Sequence, residues 1–245
     1  MNPTACWCCS DNGADPNLLP EQPAFRPWYE AHYPYTYEKD YGGNYAPMGQ
    51  KGSYSDYGAG WAAAANTPTS YYKTFSSEGG LRVPFIARFP GKVPAGQTTT
   101  SFAFVKDLVP TLLEAAGVAP PGDRFEGRSI HPITGTSILP VLTGEASQVH
   151  PESETVGYEL AGSSAVFKGN HKLVRNLPPK GNGNWELYDL VADPSEMHNL
   201  AGKMPELVAE LEAAYVAYVK ANNVIEVPDD YDPLKQVIKN STRGH

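Results

Sequence analysis

A chain of 245 residues holds one large domain or a main domain with a small satellite, and 41% hydrophobic with 19% charged residues excludes outright disorder. A net charge of −8 without any Lys/Arg cluster argues against nucleic acid as a partner, and no apolar run is long enough for a helix to cross a bilayer. With 23 glycines and 23 prolines the chain is expected to be rich in loops, and no basic, apolar export leader is visible at its start.

The first element is a compact apolar run, Ala5 to Cys9, expected to be a strand. Cys6, Cys8 and Cys9 have no second ligand pair at zinc spacing, so they read as small buried residues of that strand or as a damaged terminus. Ser10-Asp11-Asn12-Gly13-Ala14-Asp15 follows. Oxygen-bearing side chains at the carboxyl edge of a sheet stand where α/β proteins bind ligands, and Asp11 and Asn12 are hard donors suited to Ca²⁺ or Mg²⁺. Asp-Asn-Gly is equally ordinary turn chemistry, and spacing leaves both readings open.

Ten of the fifteen tyrosines lie between Tyr29 and Tyr72, among many glycines and prolines. Residues 16–72 show no clean period and are expected to form one long loop. Lys73 precedes Glu78-Gly79-Gly80-Leu81-Arg82-Val83-Pro84. A lysine held just before a Gly-Gly turn can neutralise a bound anion, with Arg82 pairing Glu78 or reaching toward a site; a solvated lysine ahead of a turn is the plainer alternative.

Leu81 to Phe89 is β-rich and reads as a buried strand, and Asp107 to Ala116 as a helix with Leu108, Leu112 and Ala116 on one face. Gly117 is its C′ residue and Pro110 fits only its first turn. Strand followed by helix predicts α/β layering. Beyond Glu152, Thr155–Leu160, Ser164–Lys168, Lys172–Asn176 and Glu186–Asp189 predict a small antiparallel sheet. A helix after Pro205 carries Leu207, Leu211, Tyr215 and Tyr218 on one stripe. The polar tail after Pro228 is expected to be a surface strap.

Four of these segments, in this order, resemble the second half of a sulfatase, most closely a bacterial arylsulfatase. They are Asp11-Asn12-Gly13 after an apolar strand; Lys73 with Glu78-Gly79-Gly80-x-Arg82-x-Pro84; Val105-x-Asp107-Leu108-x-Pro110-Thr111-Leu112-Leu113; and Lys168-Gly169-Asn170-His171-Lys172-Leu173 with Leu187-Tyr188-Asp189-Leu190 and Asp193-Pro194-x-Glu196-x-x-Asn199-Leu200. The resemblance implies the C-terminal part of an alkaline-phosphatase-like α/β sandwich over residues 1–150. A small antiparallel sheet with a packed C-terminal helix would follow over residues 151–245. It also implies that Asp11 and Asn12 ligate a divalent cation, most often Ca²⁺ with Mg²⁺ the alternative, and that Lys73 touches the oxygens of a small-molecule sulfate ester.

Sulfatases convert a cysteine in a C-x-P-x-R context to formylglycine, and here no cysteine has a proline two positions on. The resemblance therefore implies that the nucleophile and the other cation ligands belong to an N-terminal half, itself a candidate partner. The chain by itself is expected to be inactive. A phosphate or phosphonate monoester hydrolase of the same superfamily, or a non-catalytic chain that binds a partner, are the alternatives.

Overall fold

A computed structural model describes residues 5–16, 46, 50, 58–178, 180–228, 231, 235–236 and 239–240. Most of the expected loop 16–72, and most of the tail after Pro228, lie outside the described residues. The chain divides into two compact units, one formed by residues 1–11 and 83–154, the other by residues 12–82 and 155–245.

In the first unit, β1 (Cys6–Cys9) pairs antiparallel with β2 (Phe85–Arg88), Cys6 opposite Arg88 and Cys9 opposite Phe85. All three cysteines are exposed, which corrects their reading as buried strand residues: among the described residues their sheet has two strands and buries none of them. The expected strand from Leu81 is shorter than the pattern suggested, because Leu81 ends a helical turn.

A 3₁₀ turn (Val105–Asp107) leads into α3 (Leu108–Ala116), numbered after α1 (Gly58–Ala65) and α2 (Glu78–Leu81) of the other unit. Gly117 ends α3 with φ 69°, its N–H donating to Glu114 and the Val118 N–H to Leu113, the paired closure that a left-handed glycine permits. Asp107 is fully buried and organises this corner. Its carboxylate accepts from the N–H groups of Phe104 (2.6 Å) and Thr136 (2.8 Å) and lies 2.8 Å from His150 Nε2. The Thr111 hydroxyl accepts from the Ile138 N–H at 2.8 Å. Thr111, rather than the expected Leu108–Leu112–Ala116 face, is the buried residue of α3. The small hairpin of β3 (Arg124–Phe125) and β4 (Arg128–Ser129) and the short α4 (Leu139–Thr143) complete the unit.

The second unit is built on the expected meander: β5 (Thr155–Leu160), β6 (Ser163–Lys168), β7 (His171–Arg175) and β8 (Glu186–Asp189), antiparallel and in sequence order. The long helix α5 (Pro205–Asn222) lays its Leu207–Leu211–Tyr215–Tyr218 stripe on that sheet. Val166, Leu173, Leu187, Leu211 and Tyr215 form the core. The fit needs Gly157, where a Cβ would come within 2.3 Å of the Tyr218 ring. The Ser164 hydroxyl satisfies the Tyr215 phenol at 2.7 Å. Within the expected loop, the alanine-rich run Gly58–Ala65 forms α1, its helix propensity outweighing two glycines. Among the described residues, no helix is long and apolar enough to cross a membrane.

Candidate functional site

Within the second unit, the segment after β1 and the segment around Lys73 are joined by backbone. The Gly13 N–H donates to Gly80 O at 3.0 Å and the Lys73 N–H to Ala14 O at 3.0 Å. The approach is close enough to demand glycine: a Cβ on Gly13 would lie 1.7 Å from Gly79 O, and one on Gly80 would lie 2.1 Å from Phe75 O. The Gly-Gly pair is thus a site of close passage inside the helical turn α2. Its neighbour Asn66 is a residue that sequence reasoning missed. The Asn66 amide donates to Tyr71 O (3.0 Å) and Gly79 O (2.8 Å), and its Oδ1 accepts from the Ala14 N–H at 3.2 Å. A lone asparagine after an alanine run carries no pattern that would have flagged it.

Asp11 and Asn12 stand just beyond the end of β1; Asp11 is exposed and Asn12 half-buried, its amide donating to Gly13 O at 2.7 Å. Lys73 places its ammonium 2.8 Å from Asp15 Oδ2, both side chains substantially exposed. Screening by water keeps such a pair weak and exchangeable. Among the described residues, no group of three or more His, Cys, Asp or Glu side chains converges as a metal site. Two hard oxygen donors suit calcium or magnesium in kind, but calcium takes about six to eight. Asp11 and Asn12 would therefore be part of a shell at most.

What holds the Lys73 segment is a buried charge cluster. Lys172 on β7 is fully buried, its Nζ 3.0 Å from Glu78 Oε1 and in ion-pair contact with Glu196 Oε1 at 2.9 Å. Glu196 Oε2 accepts from the Glu78 N–H at 2.7 Å, and the expected Arg82–Glu78 pair forms at 3.1 Å. Burial pushes the Glu196 carboxyl above its usual range, with Lys172 pulling it back. Asn176 extends the clamp, accepting from the Ser76 N–H (2.8 Å) and donating to the Ser77 hydroxyl (3.0 Å); Lys180 donates to Thr74 O at 2.9 Å. The sequence motifs around Lys172 and Glu196 therefore serve one purpose, locking Glu78 and with it the stretch behind Lys73.

A polar cavity of about 170 Å³ opens beside this clamp, lined by Tyr71, Ser77, Asn176, Lys180, Tyr188 and Glu196 among others. Burial, then the Glu186 carboxylate, raises the Tyr188 phenol, which keeps it a neutral hydrogen-bonding group.

Comparison with known proteins gives a consistent picture. Residues 69–220 match the family described as N-sulphoglucosamine sulphohydrolase, C-terminal. An uncharacterized sulfatase of Schizosaccharomyces pombe is 34% identical over 223 residues, 91% of this chain but 39% of that protein. An arylsulfatase of Klebsiella aerogenes is 33% identical over 130 residues, 53% of this chain and 26% of its own length. A solved structure of a protein in complex with its substrate D-glucosamine-2-N,6-O-disulfate superposes with a TM-score of 0.51 at 26% identity, over 71% of this chain and 34% of that one. The chain spans well under half the length of each.

Proposed function

We propose, for a chain that belongs to the sulfatases through the family N-sulphoglucosamine sulphohydrolase, C-terminal, that it supplies the C-terminal share of a sulfuric-ester hydrolase of arylsulfatase type. Its fold is the C-terminal part of an alkaline-phosphatase-like α/β architecture with an antiparallel sheet and a packed helix. The observation that carries the activity is the clamped Lys73 segment: a buried Glu78–Lys172–Glu196 cluster and two obligatory glycines spend packing precision on a stretch with two partly exposed cations, of which Arg82 is held by the buried Glu78 while Lys73 rests on the exposed Asp15.

Lys73 is the sulfate-contacting residue in this reading. Its ammonium, resting on Asp15, exchanges that weak surface partner for a sulfate oxygen, and the contact strengthens as negative charge gathers there in the transition state. The neighbouring Gly13–Gly80 and Lys73–Ala14 backbone bonds tie Lys73 to the loop that bears Asn12, so that anion and cation ligands would keep a constant spacing. Asp11 and Asn12 would hold part of the coordination of a divalent cation, Ca²⁺ or Mg²⁺, with the remaining ligands coming from elsewhere in the enzyme. Such a cation, when bound, would supply Lewis-acid stabilisation of the ester oxygens. The formylglycine nucleophile would come from the portion of sulfatases that this chain does not span, and a small-molecule sulfate ester is the substrate class.

The test joins the full chain behind the portion of the Schizosaccharomyces pombe relative that precedes the matched region, and assays a chromogenic aryl sulfate. The chain by itself is expected to show no turnover. In the chimera, Lys73→Ala should lower kcat by on the order of 10²–10³, as loss of one charge-stabilising donor does, while Lys106→Ala leaves it unchanged. Near-parental kcat in Lys73→Ala would refute the assignment.

A further inference from the structure

We propose that Lys180 is a positioning residue for Lys73: its ammonium holds Thr74, the residue that follows Lys73, in a left-handed backbone conformation that threonine by itself avoids. The inference rests on the reading of Lys73 as the sulfate-contacting residue, and it names the device that aims it.

Two left-handed residues bracket Lys73, Tyr71 at φ 65° and Thr74 at φ 81°. Neither is glycine, and a side chain branched at Cβ makes this region a genuine outlier. Among the described residues, Thr74 is the one β-branched residue at positive φ. Such strain persists only where the surroundings over-determine it. Both carbonyls are held by a side-chain donor: Tyr71 O accepts from the Asn66 amide at 3.0 Å, and Thr74 O from Lys180 Nζ at 2.9 Å.

Lys180 belongs to the connection between β7 and β8, 106 residues from Thr74 in the chain. That connection is tight: the Lys180 N–H donates to Leu177 O at 3.0 Å, the Gly183 N–H to Asn176 O at 3.1 Å, and a Cβ on Gly181 would come within 2.4 Å of Asn176 O. Asn176 in turn bonds the Ser76 N–H and the Ser77 hydroxyl, so the base of Lys180 is fixed to the very stretch it clamps. The same ammonium lies 5.9 Å from the centre of the Phe75 ring, which is buried and stacked on Tyr71 at 4.4 Å. Phe75 thus anchors the far side of Thr74, while the Lys73 N–H, on Ala14 O, ties the near side. With Phe75 fixed, relaxation of Thr74 to negative φ would turn Lys73 away from its present direction.

The test asks whether Thr74→Gly makes Lys180 dispensable, because glycine takes positive φ about as readily as negative. Amide hydrogen exchange of the Lys73 N–H is followed by NMR in the full chain. Lys180→Met keeps most of the stem and removes the ammonium. It should speed that exchange by about tenfold or more, and Thr74→Gly added to it should reverse most of the change. Thr74→Gly alone should raise the melting temperature, the relieved strain outweighing the added freedom of the unfolded chain. Lys220→Ala, which removes an exposed cation from α5, should alter nothing. If Lys180→Met does not fold, the double variant decides: recovery of the fold supports the proposal, and its absence overturns it. In the chimera, Lys180→Met should lower kcat by about 10- to 100-fold, the scale of a ~1 Å misplacement, with KM changed less, and Thr74→Gly should restore it. Unchanged exchange in Lys180→Met, a loss that Thr74→Gly does not rescue, or a lower melting temperature in Thr74→Gly overturns the proposal. So does near-parental kcat in Lys180→Met where Lys73→Ala lowers it. Near-parental kcat in Lys73→Ala refutes the underlying reading instead, and the exchange and melting data then still decide whether Lys180 holds Thr74.

Discussion

Replacing Lys172 by methionine isolates the clamp. The change keeps the length of the buried stem and removes only the ammonium, which lies 3.0 Å from Glu78 and 2.9 Å from Glu196. Both carboxylates have side chains at most 5% exposed, so neither can recover its solvation from water. Glu78 keeps Arg82 at 3.1 Å and Glu196 keeps the Glu78 N–H at 2.7 Å, which softens the loss without cancelling it. Breaking a buried pair from one side costs about 3–5 kcal/mol, a large share of the roughly 5–15 kcal/mol that holds an ordinary domain together. Urea melts followed by circular dichroism at pH 7 should therefore show a loss of unfolding free energy of that size. Adding Glu78→Gln and Glu196→Gln to Lys172→Met should return part of it, because the three groups act as one unit and their effects do not add. A Lys172→Met loss below about 1 kcal/mol would show that the cluster is a solvated pair in disguise, and the account of how Lys73 is positioned would fall with it.

Gly13→Ala and Gly80→Ala force a Cβ to within 1.7 Å and 2.1 Å of backbone oxygens, and each should lower the melting temperature sharply, whereas Gly60→Ala, with nothing within 4 Å, should not. Asp107→Ala leaves the Phe104 and Thr136 N–H groups and His150 without their shared acceptor, and should cost about 3 kcal/mol or more in the same melts; a neutral result would mean water replaces it. Burial holds the Glu196 carboxyl above 4.5, so the folded chain binds that proton more tightly than the unfolded one. Its contribution is fully present below pH 4.5 and declines as pH rises through the raised value. The melting temperature of the parent relative to Glu196→Gln should accordingly fall as the pH rises above 4.5, and a constant difference would refute the burial argument.

Local pattern was enough to read the meander, the α5 stripe and the left-handed Gly117, because strand alternation, helical spacing and helix closure depend on residues a few positions apart. Motif order was enough to reach the family, and the roles proposed for Lys73, Asp11 and Asn12 rest on that resemblance. The role of Lys172 and Glu196 was not legible, since their partner Glu78 lies 94 residues from Lys172 and only folding brings the three together. Asn66 was invisible for the same reason, being a hub for backbone groups as far away as Ala14. The opposite error arose at β1 and α3, where apolar residues were read as buried while Cys6, Cys8 and Leu112 stand exposed. Hydrophobicity in a sequence records that a side chain is to be covered, whereas what covers it is a property of tertiary structure, and here the described units leave that face uncovered.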